Sequence, residues 1–242
     1  MAAAELLSDE GFRADGRRPG EIRKVRARLG LFAQADGSAY IEQGNTKALA
    51  VVYGPHEVRG PRGRALPERA VLNCRFSLAA FSSAERRRPH GDRRSAELAL
   101  LLQQSLEAAV LTQLFPRSQI DVYVQVLQAD GGHCCAGTTA AALAVLDAGI
   151  PLRDMVCASS AALAEDTALA DPSGAEEAAA GPGLSLALLP ASGLLALLQL
   201  SARLPRERLE PALDAATAGC RALHHALDRE LRQRLRESHG AT

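Results

Sequence analysis

Between Ser118 and Gln128 the chain alternates with a period of two. Ile120, Val122, Val124 and Val126 fall on one face, and Asp121, Tyr123 and Gln125 on the other. Branched side chains in that rhythm predict a strand with one buried face. Gly131 and Gly132 break the rhythm. An alanine-rich run follows until Gly149, Ile150 and Pro151, an order of glycine then proline that ends helices. The small residues Ala136, Gly137, Ala140, Ala141, Ala142 and Ala144 predict a helix lying close against a sheet. A strand, a glycine turn and a helix start leave unpaired backbone N–H groups that suit an anion such as phosphate. The same sequence also serves simply to turn the chain, and both readings stand at this point.

The same patterning predicts the rest. Residues 1–20, including Arg13-Ala14-Asp15-Gly16-Arg17-Arg18-Pro19-Gly20, are too polar and glycine-rich for core and predict an arm. Residues 23–31 and 38–41 predict two short strands joined by a hairpin turn at 35–38. After the Gly44-Asn45 turn, residues 47–53 predict a buried strand closed by Gly54-Pro55, which makes an antiparallel meander. A strand at 70–76 lies between two basic loops, 56–68 and 82–94. Ser95 suits the N-cap of a helix ending at Phe115-Pro116, with Leu98, Leu101, Leu102, Leu106, Ala109 and Val110 on one face. That places Arg93 and Arg94 at a helix N-terminus, where the dipole favours anions.

Beyond Pro151, strands are predicted at 155–163, 184–189 and 194–200, with 165–183 a loop holding one short strand before Asp171. A final helix starts near Glu210 with Pro211 in its first turn. Its stripe of Leu209, Leu213, Ala216, Cys220, Leu223, Leu227, Leu231 and Leu235 reads as core or a subunit seam, without chemistry. The order of elements predicts a single α+β domain over residues 1–242, with mixed and antiparallel sheets packed on helices, an arm at 1–20 and a C-terminal helix within 205–242.

Charge sharpens this picture. The chain balances 28 basic against 28 acidic residues, yet residues 59–94 hold ten arginines against three acids, and residues 165–183 five acids and no base. Arginine grips phosphate with a planar fork. In glycine- and proline-containing loops, such a run favours a polyanion partner over a merely solvated face. Five cysteines without a CxxC pair point to reduced thiols and an intracellular address. Pro190 and Gly193 interrupt the longest apolar run, so no membrane span is expected. His133, Cys134 and Cys135 lack structural zinc spacing, and sequence neighbours seldom form a nucleophile–base pair.

Seven landmarks recur in a telling order: residues 13–18, Gly37-Ser38, Gly44-Asn45-Thr46, Val52-Tyr53-Gly54-Pro55, Gly91-Asp92-Arg93-Arg94-Ser95, residues 126–132 and Asp147-Ala148-Gly149-Ile150-Pro151. Together they resemble the RNase PH family over nearly the whole chain, and within it most resemble ring subunits of the RNA exosome related to the archaeal catalytic subunit. The resemblance implies the RNase PH-like fold, akin to domain 2 of ribosomal protein S5. It implies RNase PH-like exosome partners in a six-membered ring around a channel for single-stranded RNA, cap subunits with S1/KH-type RNA-binding domains, and an associated hydrolytic exoribonuclease. Work in rRNA processing and mRNA decay in nucleus, nucleolus and cytoplasm follows from the same resemblance, with no membrane partner.

In active members of the family, phosphate attacks the last phosphodiester at the RNA 3′ end. They hold it with Ser or Thr followed by Arg after the glycine turn, and carry acids in a later loop. Here His133 and Cys134 occupy the first pair of positions, making Gly131, Gly132, His133 and Cys134 a degenerate phosphate site. Cysteine offers no forked cation. Asp171 and Glu177 remain of the acids, with Ser173 between them. The expectation is therefore a non-catalytic subunit without cofactor or metal, which binds RNA through Arg59, Arg62, Arg64, Arg93 and Arg94. The alternatives are a phosphate-dependent 3′→5′ exoribonuclease using Asp171 and Glu177 for metal, and a scaffold that never touches RNA.

Overall fold

The alternating segment forms strand β5 (Ser118–Gln128), and its four branched residues on the even positions are all buried. This computed structural model describes residues 6–8, 10–58, 66–83, 86, 93–164, 167–180 and 183–240. β5 lies between β3 (Thr46–Glu57), to which it is antiparallel, and β4 (Val71–Leu78), to which it is parallel. β1 (Val25–Leu29) and β2 (Gly37–Gln43) complete a five-stranded sheet in the order β1-β2-β3-β5-β4. The expected meander is the β1-β2-β3 run. β3 continues past Gly54-Pro55 to Glu57, with an irregular register between Tyr53 and His56.

A second sheet, wholly antiparallel, has the order β7-β6-β8-β9, from β6 (Cys157–Ala164), β7 (Thr167–Ala170), β8 (Gly183–Leu189) and β9 (Leu194–Leu200). Helix α2 (His133–Asp147) lies between the sheets, touching β2 and β3 on one side and β6 on the other. Residues 135–145 of α2 are buried without exception, as a helix apolar all round must be. Gly137 permits the close approach, since a Cβ there would stand 2.5 Å from the Phe76 ring. Helix α4 (Arg206–Gly240) packs against β6, β7 and β8. Ala216, Cys220, Leu223 and Leu227 are its buried stripe, and every residue of β6 is buried.

Three expectations about boundaries need correction. Helix α1 (Arg93–Ala109) starts two residues before Ser95, so Arg93 and Arg94 form its first turn rather than preceding it. It stops at Ala109 because Val110 bridges to Leu152 and the Leu111 amide bonds to the Pro151 carbonyl at 3.1 Å. α4 starts at Arg206, which leaves Pro211 inside the helix. The stretch 165–183 holds a helix as well as a strand, α3 (Gly174–Ala179), closed at its start by a Ser173–Glu176 capping box.

The arm also departs from expectation, because Arg13 is 3 % exposed. Its Nε donates to Glu176 Oε1 at 2.8 Å and its Nη2 to Glu176 Oε2, while Nη1 reaches the Ala170 carbonyl at 2.6 Å. Fully paired, a charged side chain enters the interior without the cost of an unmet charge.

Candidate functional site

The N-cap of helix α2 is Gly132, which sits in the left-handed region (φ 59°) beside Gly131 (φ 75°), and no side chain caps the helix start. Both positions need glycine. A Cβ on Gly131 would lie 2.4 Å from the Pro172 carbonyl oxygen, and one on Gly132 2.9 Å from Ser160 Oγ. The first-turn amides of α2 have no intrahelical acceptor and carry the positive end of the helix dipole. They open on a cleft of about 140 Å³ lined by Arg94, Glu97, His133, Cys134, Ser160 and Glu177. Glu177 Oε2 accepts the Gly132 amide at 3.3 Å.

A larger groove, about 800 Å³, flanks the same first turn of α1 and is lined by Arg75, Arg93, Ser95, Gln103, Tyr123 and Gln125. Tyr123 meets Tyr53 edge to face, with ring centroids 6.0 Å apart. Arg93 lines the groove and Arg94 the cleft, so consecutive residues of one helical turn face the two.

The other expected site residues divide. Gly132, His133, Cys134, Arg94 and Glu177 come together around the cleft; Gly131, with His133, Arg94 and Glu177, lines an adjoining hollow. Arg59, Arg62 and Arg64 lie outside the described residues. Asp171 does not offer its carboxylate to the cleft. It is 1 % exposed with φ 50°, and Arg23 holds both its oxygens, at 2.7 Å and 3.0 Å. An acid so engaged is a poor cation ligand, which corrects the pairing of Asp171 with Glu177 around a metal. Among the described residues no three His, Cys, Asp or Glu side chains are grouped to hold a metal ion.

Burial pushes the Cys134 thiol up to about 11, against opposing pulls from Thr138 and Arg94, so it stays protonated near neutral pH and is no nucleophile. Arg75 and Tyr123 are groove residues that sequence reasoning did not single out. Their signal was present in the period of two, which points Asn73, Arg75 and Ser77 the same way along β4. Arg23 was missed because its partners are far off in sequence.

Two family models cover most of the chain. Residues 21–151 match domain 1 of the 3′ exoribonuclease family, RNase PH, and residues 154–219 match its domain 2. The chain belongs to the RNase PH family of 3′ exoribonucleases. The first model takes in the five-stranded sheet with α1 and α2, the second the four-stranded sheet and the start of α4. Exosome complex component RRP41 of Homo sapiens is 66% identical over 239 residues, 98% of each chain. Exosome complex component Rrp41 of Methanopyrus kandleri is 41% identical over 235 residues, 97% of this chain and 96% of its own.

Among solved structures, the Archaeoglobus fulgidus exosome with RNA bound to the active site gives a TM-score of 0.78 at 23% identity, covering 90% of this chain and 93% of that one. Rice (Oryza sativa) Rrp46 gives 0.77 at 24% identity, covering 89% and 97%. These two establish the shared fold, the RNase PH-like α+β fold expected from the sequence.

The matches also correct an expectation. His133 and Cys134 argued for an inactive homologue, but both halves match a family of 3′ exoribonucleases, and archaeal Rrp41 components are related along nearly the whole chain. Both grounds for that expectation, Cys134 in place of a cation and Ser173 among the acids, concern single positions and not the whole site. The cleft retains Arg94, Glu177 and the α2 amides.

Proposed function

We propose that this chain is a subunit of the RNA exosome that takes the 3′ end of single-stranded RNA, seating a phosphate in the α2 cleft and the preceding nucleotides in the Arg75–Tyr123 groove. In this reading it stands where the archaeal assembly has its catalytic subunit. Its partners are other RNase PH-like subunits in a six-membered ring, cap subunits with S1/KH-type domains and a hydrolytic exoribonuclease fed by the same channel, in nucleus, nucleolus and cytoplasm. The observation that carries the reading is the adjacency of Arg93 and Arg94, which opens cleft and groove from one turn of helix. Cations that follow a backbone beside an aromatic face suit single-stranded RNA without strong sequence preference.

The chemistry that fits is phosphoryl transfer to orthophosphate. A phosphate oxygen attacks the terminal phosphorus, the bond to the 3′ oxygen of the penultimate nucleotide breaks, and a nucleoside diphosphate leaves. Such reactions ask mainly for positioning and neutralisation of oxygen charge. Arg94 and the α2 amides supply both at the cleft. Asp171, bound to Arg23, takes no part in that step.

Assembled ring incubated with labelled single-stranded RNA and orthophosphate is expected to release nucleoside diphosphates. Arg94→Ala should lower the rate on the order of 10²-fold, the scale of one electrostatic donor. Arg75→Ala and Arg93→Ala should leave the rate at saturation near that of the wild type. Each should weaken RNA binding and reduce the salt slope of log K by about one. RNA that stays intact with phosphate present would rule out the phosphorolytic reading, and unaltered RNA affinity in both groove variants would remove the groove from the path.

A further inference from the structure

We infer that Arg23 is a positioning residue for the phosphate cleft, acting through the Asp130-Gly131-Gly132 turn to aim the first amides of α2. The inference rests on the reading of that cleft as a phosphate site. Arg23 is not among the residues lining the cleft, and its side chain is 5 % exposed. What it touches instead is the turn.

A guanidinium carries five N–H donors in a rigid fork, and here all five are engaged. Nε and one Nη2 hydrogen go to the Asp171 carboxylate. The other Nη2 hydrogen reaches the Gly131 carbonyl at 3.3 Å, and Nη1 bonds the Asp130 carbonyl and Thr46 Oγ1, the latter at 3.2 Å. Thr46 reinforces the same turn, donating to the Gly131 carbonyl at 2.8 Å and accepting the Asp130 amide at 3.2 Å. An arginine serving only to neutralise Asp171 would need two of its donors; the other three hold the turn or the threonine that holds it.

The turn needs this. Two consecutive glycines in the left-handed region are the least conformationally restricted pair a chain can offer. Bonds from outside to the Asp130 and Gly131 carbonyls fix the peptides that lead into the next three amides. Asp171 completes the device. Its own amide is anchored to the Ser160 carbonyl at 2.8 Å, and its Oδ2 accepts the Arg23 amide at 2.9 Å. The fastening thus runs from the second sheet through Asp171 and Arg23 to the glycines. Asp171 and Arg23 shape the site without facing it.

The variants that test this are Arg23→Lys, which keeps a positive charge beside Asp171 but loses the fork, and Thr46→Val, which removes one support without stranding a charge. Both would be compared with wild type for inorganic phosphate affinity, for affinity toward a single-stranded oligoribonucleotide, and for amide hydrogen exchange in residues 130–135, with thermal melting as the check on folding. Arg23→Lys is expected to weaken phosphate binding about tenfold, the lower end for outer partners of a binding site, and Thr46→Val to weaken it measurably but less. Exchange should quicken in residues 130–135 alone, and RNA affinity should change by less than about twofold.

Folded Arg23→Lys with wild-type phosphate affinity overturns the inference. So does a parallel fall in phosphate affinity, RNA affinity and melting temperature, which marks a general structural role. Should Arg23→Lys fail to fold, Thr46→Val decides by the same criteria. If the wild type binds no phosphate, the reading of the cleft fails by itself. Exchange in residues 130–135 then judges Arg23: local quickening in the variants supports its hold on the turn, and none overturns it.

Discussion

Replacing Arg13 with alanine is expected to cost about 3 kcal/mol of folding stability, the lower end of what breaking a buried ion pair costs. The side chains of Arg13 and Glu176 are 0% and 6% exposed, and the truncation removes the buried counter-charge of the Glu176 carboxylate and the side-chain donor to the Ala170 carbonyl. Arg17, 3.7 Å from Glu176, takes up part of the loss, hence the lower end. The pair also sets a pH dependence. Burial works to raise the Glu176 pKa, but the Arg13 fork and the Ser173 amide outweigh it and hold the group at about 2, below its ordinary 4.5.

A carboxyl whose folded pKa is depressed contributes fully above the unfolded value and loses that contribution as pH falls toward the folded one. Wild type should therefore lose stability between about pH 4.5 and pH 2. In Arg13→Ala that part of the acid slope should be shallower, because the Arg13 bonds that depress the pKa are gone and only those from Ser173 remain. Urea titrations over this pH range would decide it; parallel slopes for the two proteins would show that the pair does not carry the effect.

Gly37→Ala should destabilise by about 3 kcal/mol, at the upper end for overpacking. The added Cβ would lie 2.2 Å from the Ala144 carbonyl oxygen, 2.5 Å from the Ala148 nitrogen and 2.7 Å from the Ala148 Cβ. Those first two atoms make the hydrogen bond that closes α2, at 3.0 Å. Main chain cannot swing aside as a flexible side chain can, so β2 and α2 must separate. They are also strapped there by Asp147, which accepts the amides of Gly30 and Ser38. Gly20→Ala is the control, with nothing within 4 Å of its Cβ, and should stay within about 0.5 kcal/mol. Equal melting temperatures for the two variants would show that the sheet yields more easily than this geometry allows.

The elements easiest to foresee were those whose own pattern records their surroundings. The alternation in β5 and the leucine stripe of α4 each name a buried face, and the glycines at 131–132 and 149 mark both ends of α2. Helix α3 was less visible, since six residues are too few to show a period, although Ser173 and Glu176 carry the spacing of a capping box. The arm and Asp171 were misread for a different reason. Arg13 meets Glu176 across 163 residues and Arg23 meets Asp171 across 148, and no local pattern reports a partner at that distance. An arginine-rich, glycine-rich start therefore read as solvent-facing arm, and Asp171 as a remnant acid. At the cleft and the adjoining hollow, Gly131, Gly132, His133, Cys134, Arg94 and Glu177 were all foreseeable. The groove was not, because it joins two strands to the side of a helix.

The bond between residues 13–23 and residues 170–176 ties an early-translated part of the polypeptide to a late one. A ribosome must release most of the protein before Arg23 can meet Asp171, so the latch from the glycine turn to the second sheet closes after the turn's own bonds from Arg23 and Thr46 have become possible. Anchorage of that turn to the second sheet is therefore a late event of maturation. A copy captured by its neighbours before the latch engages would enter the assembly with that corner still loose.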